Sequence, residues 1–197
     1  MDLWEIERSC FARGIGLVCG ADEAGAGPLA GAVYAAAVIL PPGLELEGLN
    51  DSKKVSPRKR EELFAQIQAQ AVAWAVASVD EGEIDRINIL NARMLAMDRA
   101  IQALDPAPEY ALIDGNRNTG IRCPNETVVK GDGRSASIAA ASILAKVSRD
   151  RYMKEMDARY PGYGFARHKG YPTKAHYEAL RRLGPCPIHR RTFLKNL

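Results

Sequence analysis

The stretch Leu17-Val18-Cys19-Gly20-Ala21-Asp22-Glu23-Ala24-Gly25-Ala26-Gly27 decides how this chain is interpreted. Its first half is an apolar run of strand length that ends on Asp22; a carboxylate pair and a glycine-rich turn follow. Two later segments share the design: Tyr110 to Ile113 runs into Asp114-Gly115, and Thr127-Val128-Val129 runs into Gly131-Asp132-Gly133. In α/β sheets ligands gather where strands end, because the loops there converge on one point. If these ends lie side by side, Asp22, Glu23, Asp114 and Asp132 form one cluster of like charges. Cations would have to neutralise it, and open hard-oxygen sites suit Mg²⁺ or Mn²⁺. Taken singly, Asp-Gly and Gly-Asp-Gly are also common turn sequences. Neighbours on a regular strand point to opposite faces, so a bend near Asp22 is expected to bring both carboxylates round.

The flanking sequence supplies the rest of an α/β domain. Ala32 to Leu40, ended by Pro41-Pro42-Gly43, is a second strand, and Val72, Trp74 and Val76 alternate as a third would. Ser56-Pro57 opens a helix that keeps its spacing through Leu63, Phe64 and Ile67 to about Gln70. Ile84 to Leu104 has the period of one amphipathic helix, stopped by Asp105-Pro106. A long helix is expected over Ser137 to Tyr160, a glycine-punctuated loop through Gly162, Gly164 and Gly170, and a last helix over Thr173 to Leu183. The expectation is a mixed central sheet flanked by helices in residues 1–160. Residues 161–197 form a basic helical C-terminal extension packed on the same domain.

Composition narrows the function classes. The four cysteines stand apart at 10, 19, 123 and 186 and the three histidines are scattered, which argues against a zinc site and fits a reducing, cytoplasmic setting. The N-terminus lacks the basic and apolar pattern of a secretory signal, and the longest apolar run, Ala32 to Leu40, is far below membrane-span length. No membrane partner is expected. The net charge of +3 is unevenly placed: from Lys146 onward there are 13 Lys and Arg against 4 Asp and Glu. A basic last quarter beside an acidic body is the footprint of a polyanion partner, or equally of solvated helix faces.

Further blocks stand in a recognisable order. They are Asp22-Glu23-Ala24-Gly25, Asn50-Asp51-Ser52-Lys53-Lys54, Ile113-Asp114-Gly115 and Val129-Lys130-Gly131-Asp132, then Ser137 to Ile143 with Ala145-Lys146-Val147. Tyr163-Gly164-Phe165, His168-Lys169-Gly170-Tyr171 and His189-Arg190-Arg191-Thr192-Phe193 complete the series. Together they resemble ribonuclease HII from Gly20 to about Phe193. The resemblance implies a ribonuclease H-like fold and a site in which Asp22, Glu23, Asp114 and Asp132 hold two Mg²⁺ or Mn²⁺ ions. It implies hydrolysis of RNA in RNA–DNA hybrids and nicking of duplex DNA on the 5′ side of an embedded ribonucleotide, leaving 3′-hydroxyl and 5′-phosphate ends. Tyr171 matches the tyrosine that stacks on the sugar at the RNA-to-DNA junction, and the turn Gly25-Ala26-Gly27 matches the one whose backbone senses the ribose 2′-hydroxyl.

The chemistry agrees with these implications. Paired divalent ions lower the pKa of a bound water, so no histidine base is needed. The 2′-hydroxyl is the group that separates RNA from DNA, and a turn flanked by glycines lets a backbone approach it. Lys53, Lys54, Lys146 and Lys169 are candidate phosphate contacts, while His168 and His189 are expected to be structural or phosphate-contacting rather than metal ligands. A monomer is expected. One departure stands out: the family has Gly-Arg-Gly where this chain has Gly25-Ala26-Gly27. That removes a guanidinium, so either the junction is bound more weakly than by relatives or another basic residue compensates. Two rivals share the features so far: a nucleic-acid-binding module with a dead site, and a DNA nuclease or transposase on the same fold.

Overall fold

The computed structural model describes residues 2–194; residues 195–197 of the expected C-terminal extension lie outside that range. Five strands form one sheet: β1 (Val18–Ala24), β2 (Val33–Ile39), β3 (Ala73–Val79), β4 (Tyr110–Asp114) and β5 (Asn125–Val128), in the order β3-β2-β1-β4-β5. The first three are antiparallel neighbours, whereas β4 runs parallel to β1 and β5 parallel to β4. This is the mixed α/β sheet expected from the apolar runs.

Seven helices accompany it: α1 (Glu5–Ala12), α2 (Pro57–Gln70), α3 (Glu81–Ile87), α4 (Ile89–Gln102), α5 (Ala136–Arg159), α6 (Phe165–His168) and α7 (Lys174–Leu183). One face of the sheet packs on α3 and α4 through Ala21, Ala35, Ala37, Met97 and Ile101. The other packs on α2 and α5 through Ala36, Val38, Leu63, Ile67, Ala140 and Leu144. The alanine-rich start of α5 lets it lie close to β1, where Gly20 leaves room. A Cβ there would sit 2.2 Å from the Ile138 nitrogen.

The structure departs from the sequence expectation at several places. The single helix expected over 84–104 is two helices. Asn88 adopts φ 66°, and its side chain accepts the N–H groups of Leu90 and Asn91, capping α4 and ending α3. α3 also begins earlier, capped by Asp80 through the Glu83 N–H. β1 does not end at Asp22 but continues to Ala24, because β2 pairs with it through Ala24↔Tyr34. The loop after Tyr160 contains the short α6.

The unanticipated α1 has a specific task. Its buried Glu7 accepts the Ser135 hydroxyl at 2.6 Å and the Ser137 N–H at 3.0 Å, placing a carboxylate at the N-terminus of α5.

The segment after α5 packs back onto the same body. Tyr163, Phe165, Leu180 and Ile188 form a cluster with Leu29, Ala30 and Met153. His189 bridges Ala30 in antiparallel fashion, and Leu29 N–H donates to the Gly170 carbonyl. Among the described residues no helix is long and apolar enough to cross a membrane.

Candidate active site

Strand register explains why distant acids meet. Cys19 lies level with Ala111, Gly20 with Leu112 and Ala21 with Ile113 on the parallel β4. One step further along, Asp22 and Asp114 come level on neighbouring strands, about 4.8 Å apart in the ladder direction. Side chains at one level of a parallel pair share a face, here the one covered by α5. Asp114 in turn accepts the Gly131 N–H at 2.7 Å, which ties the turn carrying Asp132 to the end of β4. A Cβ on Gly131 would press on Ile138 Cδ1 at 2.5 Å, so glycine is needed for that approach.

The bend expected at Asp22 is absent, and the alternation of β1 persists. Odd positions Cys19 and Ala21 face α4, and Glu23 follows them, forming an ion pair with Arg93 of α4 at 2.6 Å. Asp22 lies on the opposite face, with Gly20. Both carboxylates nevertheless line one cleft of about 290 Å³ at the end of the central strand β1, with Gly25, Ala26, Gly27, Lys53, Lys146, Arg149 and Tyr171, while Asp114 and Asp132 stand outside its lining.

The acids feel one another. Burial raises the Asp22 carboxyl well above the usual carboxylate range, and the charges of Glu23, Asp114 and Asp132 raise it further. Burial also raises Glu23 against the lowering effect of Arg93, with Asp114 adding to the rise. Asp132 is raised by burial, then by Asp114 and Asp51. Lys53 sits in this field. Partial burial opposes its charge, yet Asp51, Asp132, Asp22 and Asp114 together hold its ammonium above the ordinary lysine value.

The donor set fits divalent cations. Four carboxylates interact by charge near the ends of the interior strands, and Glu23 Oε2 is buried without a hydrogen-bond partner while its other oxygen engages Arg93. As the side chains stand, no three ligand groups among the described residues close on one point in ready-made metal geometry.

The other expected contacts divide. Tyr171 is 42% exposed, beside the turn: a Cβ on Gly27 would lie 3.7 Å from its ring. Lys146 lines the cleft while pairing with Asp150 at 2.7 Å. Lys169 does not reach the cleft. Its backbone is left-handed, with φ 52°, its ammonium meets the Ala166 carbonyl, and it lines an adjacent basic groove with Arg58, Lys154 and Arg167. Lys54 is exposed, 4.0 Å from Asp51, and stands outside the cleft lining.

Sequence reasoning missed two buried arginines behind the turn. Arg190 donates to the carbonyls of Gly25 at 2.6 Å, Ala26 at 2.9 Å and Gly31 at 2.7 Å. Arg149 donates to Ala30, Ala32 and Lys169 at 3.0–3.1 Å, and a Cβ on Gly25 (φ 94°) would strike its Nε at 1.9 Å. Nothing local in the sequence separates these residues from surface arginines. Arg93 and Asp51 were missed for the same reason.

The profile of the family described as ribonuclease HII matches residues 19–196. The chain belongs to the ribonuclease HII family. Family members with high similarity include the ribonuclease HII of Dechloromonas aromatica (strain RCB), 60% identical over 91% of each chain. That of Moorella thermoacetica (strain ATCC 39073 / JCM 9320) is 56% identical over 97% of this chain and 93% of its own. Among solved structures, the ribonuclease H2 from Pyrococcus horikoshii OT3 superposes with a TM-score of 0.73 at 26% identity, covering 90% of this chain and 93% of that one. The RNase HII in a PCNA complex from Archaeoglobus fulgidus gives 0.72 at 26% identity, covering 89% and 94%. The mixed sheet is therefore a ribonuclease H fold, and ribonuclease HII membership makes this protein a metal-dependent endonuclease of the ribonuclease H class.

Proposed function

We propose that the protein hydrolyses the RNA strand of RNA–DNA hybrids and nicks duplex DNA on the 5′ side of an embedded ribonucleotide, leaving 3′-hydroxyl and 5′-phosphate ends. The observation that carries this reading is the shared cleft, in which Asp22 and Glu23, coupled in charge to Asp114 and Asp132, adjoin the Gly25-Ala26-Gly27 turn and Tyr171. Asp22, Glu23, Asp114 and Asp132 would hold two Mg²⁺ or Mn²⁺ ions, which supply water activation on one side of phosphorus and charge neutralisation at the leaving oxygen on the other.

The chain's own groups do the rest. Arg93 holds one oxygen of Glu23 and leaves the other free for a ligand. Gly131 N–H orients Asp114. In this reading the turn's glycines would let the backbone approach a 2′-hydroxyl, and the exposed Tyr171 ring beside Gly27 would stack on the adjoining sugar. Lys146 and the neighbouring basic groove would carry backbone phosphates without reading base sequence. Lys53 is exposed at the cleft, yet it feels the charges of Asp51, Asp132, Asp22 and Asp114, so its first role is as their counter-charge. Lys54 and Lys169 remain candidates for outer phosphates. Residues 161–197 serve in this reading as an extension of one catalytic domain, and a monomer suffices because one chain carries every element of the site.

Incubation with a DNA duplex bearing one ribonucleotide, an RNA–DNA hybrid and an all-DNA duplex, each with and without Mg²⁺ or Mn²⁺, tests the reading. Metal-dependent cutting of the first two alone is expected. Binding without cutting would point to a dead site, and equal cutting of all-DNA would point to a general DNA nuclease.

A further inference from the structure

The block His189-Arg190 has no part in the chemistry above, yet it lies buried between the two elements assigned to the substrate sugar. Arg190 grips the carbonyls of Gly25 and Ala26. His189 faces the other way. Its Nε2 stands 3.1 Å from His176 Nε2, and His176 Nδ1 stands 3.0 Å from the Tyr171 carbonyl.

The protons in this chain are fixed from both ends. A carbonyl only accepts, so His176 carries its proton on Nδ1 and donates it to Tyr171. A neutral His176 then accepts at Nε2, so His189 carries its proton there. The remaining His189 Nδ1 must accept, and the Cys186 N–H points at it from 2.9 Å. Each ring is therefore a neutral, single tautomer in a directed series from Cys186 through His189 and His176 to the main chain of Tyr171. His168 stacks on His176 with ring centroids 4.5 Å apart, accepts the Gly170 N–H at Nδ1 and meets the Tyr163 carbonyl at Nε2. The same Tyr171 carbonyl also accepts the Thr173 N–H at 2.8 Å, so both of its lone pairs are used.

We propose that His176 and His189 are positioning residues, which hold the Tyr171 main chain at a fixed distance from the Arg190-braced turn so that the two elements close on one sugar. The proposal rests on the reading of Tyr171 as the sugar contact. It assigns the histidines a role in substrate recognition, not in the chemical step. Residues 176 and 189 touch no acid of the cleft, so their loss should appear in KM and leave kcat nearly untouched.

The test is a double-mutant cycle read by steady-state cleavage of a duplex carrying one ribonucleotide, with folding checked by circular dichroism. Tyr171→Ala first tests the underlying reading: an unchanged KM would remove Tyr171 from the sugar and overturn the proposal with it, whereas a raised KM leaves the histidine variants to decide. His176→Phe keeps the ring and removes the donor, and should raise KM about tenfold with kcat within about twofold. His176→Asn restores a donor at the Nδ1 position and should recover most of that loss. In the Tyr171→Ala background His176→Phe should have no further effect on KM. The proposal is overturned if His176→Phe raises KM equally in both backgrounds, if it lowers kcat instead, or if His176→Asn recovers nothing while folded.

Discussion

Asp22→Asn separates the two consequences of burying like charges. Asp22 is 7% exposed and level with Asp114 on the adjacent strand, and burial comes first among the causes that raise its carboxyl pKa. Two carboxylates about 5 Å apart at an effective dielectric constant of about 20 repel by roughly 3 kcal/mol, part of which Lys53 offsets. Whether the wild-type protein carries that repulsion or neutralises it by binding a proton, the metal-free fold is strained. Asparagine keeps the acceptor for the Glu23 N–H, now 2.7 Å from Asp22 Oδ1, and removes the charge. The variant should gain about 1–3 kcal/mol in chelator, a rise in Tm of roughly 2–12 °C for a chain of this size. Mn²⁺ at about 100 times its Kd should stabilise the wild type by about 2.7 kcal/mol, and the variant far less. Thermal melts in chelator and in Mn²⁺, beside a nicking assay, read both arms. Turnover should fall on the order of 100-fold or more. A variant that melts below the wild type in chelator refutes the electrostatic argument; an equal Mn²⁺ gain in both proteins removes Asp22 from the metal site.

Further expectations follow from other parts of the molecule. Gly20→Ala places a methyl group 2.2 Å from backbone of α5, which cannot swing aside, and should cost about 3 kcal/mol or more in urea unfolding. A midpoint unchanged within error would show that α5 can shift. Glu7→Ala strips the Ser135 hydroxyl and Ser137 N–H of their buried partner and should cost about 2–4 kcal/mol by the same measurement, with cleavage retained in the folded fraction. Burial, then the neighbouring His176, lowers the His189 pKa to about 4. The folded state therefore refuses a proton that the unfolded chain accepts near pH 6.5. His189 contributes fully above that pH, and its contribution of about 3 kcal/mol is lost as pH falls toward 4. His189→Gln should flatten the stability profile over that window, and an unaltered slope would refute the assignment. Ala26→Arg should lower KM about three- to tenfold at low salt without changing Tm. Unchanged affinity would show that the missing guanidinium carries nothing here.

What the sequence revealed and what it hid divide along the range of the interactions. β1, β2 and β4 were legible as short apolar runs with glycine or proline close by, β3 by its alternation, and α2 because Ser56-Pro57 is a local cap. β5 was legible only in part, since it spans Asn125–Val128 where Thr127 to Val129 was expected. The mutual influence of Asp22, Glu23, Asp114 and Asp132 was legible because all four lie at or near strand ends, where even a one-dimensional pattern implies convergence. Asn88 was hidden: its apolar neighbours keep helical period across the break, and only its left-handed backbone shows that it caps a new helix. α1 was hidden because its stability comes from Glu7 reaching α5, a contact that spans most of the chain. The basic last quarter was misleading in part. Its arginines at 149 and 190 looked like surface charge for a polyanion, yet both are buried on backbone carbonyls more than a hundred positions away. No window of local sequence encodes such a contact.

Those two arginines also bear on the alanine at position 26. Arg190 binds main-chain oxygens of residues 25, 26 and 31, and Arg149 fills the space that a Cβ on Gly25 would need. The shape of the turn is thereby set from behind, through backbone, with no demand on which side chain residue 26 carries. Gly25 is constrained by its positive φ and by Arg149, whereas Gly27 faces Tyr171 at ordinary contact distance and residue 26 lies in the cleft lining. Exchange of arginine for alanine there consequently leaves the backbone of the turn in place and alters the charge that the cleft presents. Arg190 spends its guanidinium on the carbonyls of residues 25, 26 and 31, so it braces the turn and does not replace a side chain at position 26, whereas Arg149 also lines the cleft beside Tyr171.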